Sequence, residues 1–315
     1  MLAFKGVDLK KTFTVIQHAH IFWLAMSVLV SFVAFLSRAY RWNLLIEPLG
    51  YKPSLKNTTS ALMVGYLANI AVPRLGEVSR CGSLSTAEKI PFEKLLGTVI
   101  VERIIDVLSL AVAMVITILL QFNLVKNFVF ENIINPIRDK IVASVHNTFL
   151  LVIMMAAVIA MTAVIIYFLR AKASSGLILK IRGLIKGMIE GVRSIRDLKN
   201  IPVFIFHSIF IWVMYYFMTY LAFFALDATA SLSWQSALLI LVAGGIGMSA
   251  PSPGGVGTYH FLVSQALMIY AVAKEDGVAF ATMLHGSQTL IVILFGAVGY
   301  IVLWFGNKKL KNAGA

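Results

Sequence analysis

Ala61-Leu62-Met63-Val64-Gly65-Tyr66-Leu67-Ala68-Asn69-Ile70-Ala71-Val72 is an apolar run that stops at Pro73-Arg74-Leu75-Gly76-Glu77. About 20 apolar residues are needed for a helix to span the hydrocarbon core, so this run cannot cross a bilayer unaided. A second short run, Ala237 to Ala250, stops at Pro251-Ser252-Pro253-Gly254-Gly255-Val256-Gly257. Paired, sub-length segments that break at proline and glycine in the two halves of a chain point to a site built from interrupted helices within a membrane.

The composition supports this setting. The chain is 59% hydrophobic and 13% charged, where a soluble domain carries about 25% charged residues. The apolar residues come in blocks, about 17–37, 95–120, 148–170, 201–226 and 278–305, each long enough to span. The expectation is an all-α polytopic membrane protein with about five full spans and two re-entrant or broken-helix segments. It forms a single transmembrane domain over 1–315, with halves of about 1–170 and 171–315. Cys81 is the sole cysteine, so no intrachain disulfide is expected. The run Ile21–Ser37 is too long for a cleaved signal, and an uncleaved anchor is expected there.

The net charge of +13 is unevenly placed. Residues 171–200 hold seven Lys/Arg against Glu190 and Asp197, 38–56 hold four against Glu47, and the tail 306–315 holds three against none. Basic loops stay cytoplasmic, which places these three regions inside. The surplus therefore reads as topology and attraction to anionic lipid headgroups, and no nucleic-acid partner is expected. With those regions inside, 57–80 begins and ends on the cytoplasmic side and dips into the membrane. The pair 234–250 and 255–273 enters and leaves from the outside, as a re-entrant hairpin or as two short spans. Opposite entry is the arrangement of an inverted-topology repeat. Residues 1–16, with Lys5, Lys10 and Lys11, fall outside in this scheme. A short interfacial helix with Phe4, Val7 and Phe13 on its apolar side would accommodate them. Residues 176–200 show helical spacing of Ile178, Ile181, Ile185, Met188, Val192 and Ile195, which predicts an amphipathic cytoplasmic helix.

Charged residues inside an apolar block need a reason. Glu102, Arg103 and Asp106 lie in the 95–120 span, with the two carboxylates four apart on one helical face. Each would cost about 2.5–3.5 kcal/mol at the bilayer centre on insertion scales, so they face protein, water or a partner charge. Either a structural ion pair to Arg74 or Arg80, or a polar cavity for a headgroup or ion, fits that need. At the first break, Asn69, Arg74, Glu77 and Arg80 surround backbone that proline and glycine release from the helix, and an arginine there offers a forked donor suited to phosphate. The alternative is a capped loop with Arg74 and Glu77 paired. At the second break, Gly254, Gly255 and Gly257 let backbone approach a ligand, and a half-helix starting near Thr258 aims its positive end at the break. His260 follows one turn later, and His285 sits in the last span near Gln288. A proton relay and a hydrogen-bonded core histidine are the two readings for them. No Cys/His spacing for a metal site is present, and no cofactor is expected.

At these motifs the chain resembles the flippase-like transmembrane domain of lysylphosphatidylglycerol synthases. The resemblance rests on Arg38-Ala39-Tyr40-Arg41-Trp42, on Asn69 with Pro73-Arg74-Leu75-Gly76-Glu77 and Arg80, on Glu102-Arg103-x-x-Asp106, and on Pro251 to Gly257. It implies a multi-pass protein of the bacterial or archaeal inner membrane with re-entrant helices, associated with translocating anionic or aminoacylated phospholipids. Family members usually carry one further span before the stretch matching Leu2–Leu9, and many have a glutamate where this chain has His260. The chain ends ten residues after its last expected span, so a cytosolic aminoacyl-transferase domain is not expected.

The reading that follows is a translocator of anionic phospholipid or a lipid-linked headgroup, not an enzyme. Asn69, Arg74, Glu77, Arg80, Glu102, Arg103, Asp106, Gly254, Gly255, Gly257 and His260 are its candidate binding residues. One alternative is a membrane-embedded transferase acting on a lipid-linked sugar or phosphate through Glu77, Glu102 and Asp106. Another is a non-catalytic partner of a lipid-synthesis enzyme. A homo-oligomer is a further expectation.

Overall fold

The computed structural model describes residues 7–122, 124, 196–250 and 252–313. The chain divides into two compact units, Met1–Leu120 with Ile185–Ala315, and Gln121–Leu184; the architecture below is that of the first. The expected span 148–170 and the amphipathic stretch 176–195 lie outside the described residues.

Among the described residues every regular element is helical. The helices of nine or more residues are α1 (Leu9–Gln17), α2 (Ile21–Ile46), α3 (Leu55–Ala71), α4 (Leu75–Glu88), α5 (Phe92–Leu120), α6 (Ile201–Phe223), α7 (Trp234–Ser249), α8 (Thr258–Met268) and α9 (Lys274–Ala313). Four of them, α2, α5, α6 and α9, are long and apolar enough to cross a membrane, which makes this a polytopic membrane protein.

Helix α3 starts at an N-cap, Ser54, whose hydroxyl accepts from Asn57 N at 3.2 Å. It ends at Val72, before proline, and Arg74 adopts φ 63°, the left-handed region. That residue turns the chain back into α4. The two helices form an antiparallel hairpin: Glu88 at the end of α4 reaches Ser54 and Asn57 at the start of α3. Near the tip the backbones touch, since a Cβ on Gly65 would lie 2.8 Å from Gly76 O. Helices α7 and α8 form a second antiparallel hairpin, in which a Cβ on Gly247 would lie 2.7 Å from Tyr259 Cα. Small residues allow this approach, as between membrane helices generally.

Helix α9, 40 residues long, sets how the two hairpins face each other. Gly277 packs on Ser264 of α8, His285 bonds Gly254 at the second break, Gly296 packs on Leu67 and Gly299 on Ser60 of α3. Along α9, then, the second hairpin runs from Gly277 towards its tip at His285. The first runs from Gly299 towards its own tip past Gly296. The hairpins approach from opposite ends of one helix, and their tips meet where Gly254 comes against Ile70. The two hairpins thus point in opposite directions along α9. About 21 Å of α9 separates His285 from Gly299, at 1.5 Å per residue.

One expectation needs correction. Helix α2 continues to Ile46, and Arg38 and Arg41 are buried within it; they belong to the span, not to a basic cytoplasmic loop. Of the remaining positive charges, Lys52 lies in the loop and Lys56 in the first turn of α3. At the N-terminus, Asp8 caps α1 by accepting from Lys10 N at 2.9 Å. Val15 and Ile16 pack on the core, and Phe13 is 60% exposed. Phe4 lies outside the described residues.

The α9 glycines differ in what surrounds them. A Cβ at Gly296 would meet Leu67 Cβ at 2.7 Å, whereas one at Gly286 has nothing within 4 Å. Gly296→Val is expected to destabilise the protein by about 1–3 kcal/mol, the usual cost of overpacking. Gly286→Ala should leave stability within about 0.5 kcal/mol, as expected away from packed sites. Thermal melting in detergent would compare them, and equal melting temperatures would mean that α3 does not rest on α9 at this point.

Candidate functional site

Arg38 and Arg41 fall three apart on α2, so they share a face; Glu102 and Asp106, four apart, share a face of α5. The two faces meet. Arg38 Nη2 donates to Glu102 Oε1 and, at 2.8 Å, to Asp106 Oδ2. Arg41 Nη2 donates to Asp106 Oδ1 at 2.7 Å, and Arg80 Nη1 on α4 donates to Glu102 Oε2 at 3.1 Å. Glu102 and Arg41 have fully buried side chains. Arg38 Nη1 also donates to the Tyr215 hydroxyl of α6 at 3.2 Å.

Trp42 organises the edge of this cluster. Its Nε1 donates to Thr98 Oγ1 at 2.9 Å, and the Arg80 guanidinium lies over its ring, 4.8 Å from the centroid. Cation–π contact of a desolvated arginine is worth about 2 kcal/mol. Three guanidinium groups surround two carboxylates, so the interior carries one surplus positive charge. Several donors, including Arg41 Nη1 and Arg80 Nη2, are buried and make no hydrogen bond among the described residues.

A second pair lies closer to the surface. Arg103 Nη2 and Glu77 Oε1 are 3.1 Å apart, with side chains 43% and 25% exposed. Glu77 therefore pairs with Arg103 on α5, not with its neighbour Arg74. Arg74 is exposed at the hairpin tip. Asn69 bridges the hairpin, its Oδ1 accepting from Gly76 N at 2.7 Å near the first turn of α4.

At the second break, Gly254, Gly255 and Gly257 have φ of 56°, 79° and 89°, a region that suits glycine. The turn satisfies much of its own backbone. His285 Nε2 bonds Gly254 O at 2.8 Å, and the Thr258 hydroxyl donates to Gly247 O at 2.8 Å and to Gly255 O at 3.2 Å. The glycines thus serve the turn first. Helix α8 starts at Thr258, where the sequence placed it, and has no side-chain cap. His260 is buried with ring contacts to Tyr259 and His285, the centroid distance to His285 being 5.1 Å.

The structure thus joins Arg80, Glu102 and Asp106 in one cluster, places Glu77 and Arg103 beside it as a pair, and leaves Arg74 at the tip. It adds Arg38 and Arg41, which had been read as loop charge. The available signal was their spacing of three beside Trp42, followed by the apolar Leu44-Leu45-Ile46, together with the need of two intramembrane carboxylates for more than one cation.

Removing Glu102 would leave three arginines around one carboxylate. Glu102→Leu is expected to cost about 3–5 kcal/mol, as when one partner of a buried pair is removed, and Glu102→Leu with Arg80→Leu should recover part of that. A double-mutant cycle on thermal melting tests the link. A coupling energy near zero would mean that Arg80 does not answer Glu102.

A family model described as the lysylphosphatidylglycerol synthase TM region matches residues 1–296. Over 109 residues the chain is 28% identical to a UPF0104 membrane protein of the archaeon Methanocaldococcus jannaschii. That alignment covers 34% of this chain and 32% of the relative, about a third of each. No solved structure matches.

Proposed function

The chain belongs to the lysylphosphatidylglycerol synthase transmembrane-region family, which is associated with lipid modification and translocation in membranes, and from this premise we propose that it translocates an anionic phospholipid or lipid-linked headgroup across the cytoplasmic membrane. The observation that carries the reading is Arg74. It is exposed, it holds a left-handed backbone at φ 63°, and it sits at the tip that meets the opposing hairpin. Non-glycine residues in that region cost about 1–3 kcal/mol and cluster at functional sites. A guanidinium there offers a phosphate two parallel donors.

The surroundings support the same ligand. The surplus charge of the arginine cluster raises the local potential for an anion. Among the described residues Glu77 is the ion-pair partner of the half-exposed Arg103, so a phosphate competes with a carboxylate for it, and the bound lipid can leave again. The opposed hairpins bring their broken tips together where Ile70 and Gly254 meet, next to Arg74. Glu102 and Asp106, the carboxylates a transferase would use, are already engaged by arginines, which favours transport over group transfer.

Arg74→Gly separates function from folding, because glycine relieves the left-handed backbone. The variant is expected to melt at or above the parental temperature, by up to about 1 kcal/mol in stability, while flipping of a fluorescent phosphatidylglycerol in proteoliposomes drops. Arg74→Lys, which keeps the charge and loses the fork, should retain an intermediate rate. If Arg74→Gly flips the lipid at the parental rate, the proposal fails.

A further inference from the structure

Between α2, α3 and α9 the surface sinks into a groove of about 330 Å³. Its walls are apolar, formed by Phe32, Leu36, Met63, Phe295 and Val298. The rings of Phe32 and Phe295 on its lining have centroids 4.8 Å apart. Lys56 and Thr59 stand at one end, beside Lys52 and towards the basic C-terminal turns of α9, the cytoplasmic end by charge.

Two observations show that the polar end is not part of the fold's own bonding. Thr59 Oγ1 is buried and makes no hydrogen bond among the described residues. Lys56 is exposed and forms no ion pair among the described residues. The nearby carboxylate, Glu88, is engaged by Ser54 N at 2.9 Å, by the Ser54 hydroxyl at 3.0 Å and by Asn57 Nδ2 at 2.8 Å.

We infer that this groove holds one anionic glycerophospholipid of the cytoplasmic leaflet, with a hydrocarbon chain along Leu36, Met63 and Val298, a glycerol oxygen at the Thr59 hydroxyl and the phosphate at Lys56. Lys56 and Thr59 are one turn apart on α3, about 4.5 Å along its axis. Phosphate, glycerol oxygen and chain follow in that order in such a lipid. A volume at the small end of the about 300–1,000 Å³ seen for ligand pockets suits a single chain. The lipid bound here is not the one carried at Arg74: the groove uses the first turns of α3, and the tip lies at its far end. The inference does not rest on the translocation proposal, since its readout is binding.

The test uses the full chain purified in detergent with equal phosphatidylglycerol and phosphatidylcholine, followed by native mass spectrometry of the lipid retained. The parent is expected to keep one phosphatidylglycerol in preference to phosphatidylcholine. Val298→Trp, which fills the groove, should lose it. Lys56→Glu should lower phosphatidylglycerol retention by at least about fivefold, the effect of one lysine charge near an anionic surface, and leave phosphatidylcholine unchanged. Thr59→Val should weaken retention of both lipids. If Val298→Trp fails to fold, Leu36→Trp fills the groove from the opposite wall and decides. Equal retention of the two lipids by the parent, or undiminished phosphatidylglycerol in a folded groove-filled variant, would mean annular lipid only and would overturn the site.

Discussion

Glu102 is fully buried in a helix that crosses the membrane, and Asp106 lies one turn further on. An uncompensated carboxylate in that position costs several kcal/mol, more than most single packing contacts return. Meeting this constraint fixes the inner half of the molecule. Arginines must come from α2 and α4, which holds those helices against α5 at a defined height. Trp42 and Thr98 close the edge, and Tyr215 draws in α6. Because guanidinium groups outnumber carboxylates, the solution also leaves positive charge next to the hairpin that carries Arg74.

The second organising element is α9. Its glycines meet α8 at one end and α3 at the other, and close backbone approach is the main source of helix association where lipid and protein are equally apolar. One long helix thereby sets the separation of two hairpins that are far apart in sequence. The contact between Gly254 and Ile70, and the His285 bond to the Gly254 carbonyl, follow from that alignment. Part of the non-helical backbone at the second break is satisfied from within the protein, by His285 on Gly254 O and by Thr258 on Gly247 O and Gly255 O.

Much of the candidate site was legible. Proline after Val72 and the Pro-Ser-Pro-Gly-Gly run located both breaks, and Thr258 was placed as the start of a helix. The carboxylates at 102 and 106 announced a need for partners. Arg38 and Arg41 were misread because charge counting treats an arginine past the end of an apolar block as exposed. The side chains instead turn inward, and only the proximity of α5 makes that favourable.

The sequence by itself determined the membrane setting, the long apolar helices and the two interruptions, because these depend on the length of apolar runs and on the local chemistry of proline and glycine. Tertiary structure decided which charges neutralise one another, that Glu77 belongs to Arg103 and not to Arg74, and that the groove above Met63 ends on Lys56 and Thr59. Those outcomes depend on distances between helices remote in the chain, where a shift of a few ångströms changes a buried charge from paired to prohibitive. No local pattern encodes such a distance.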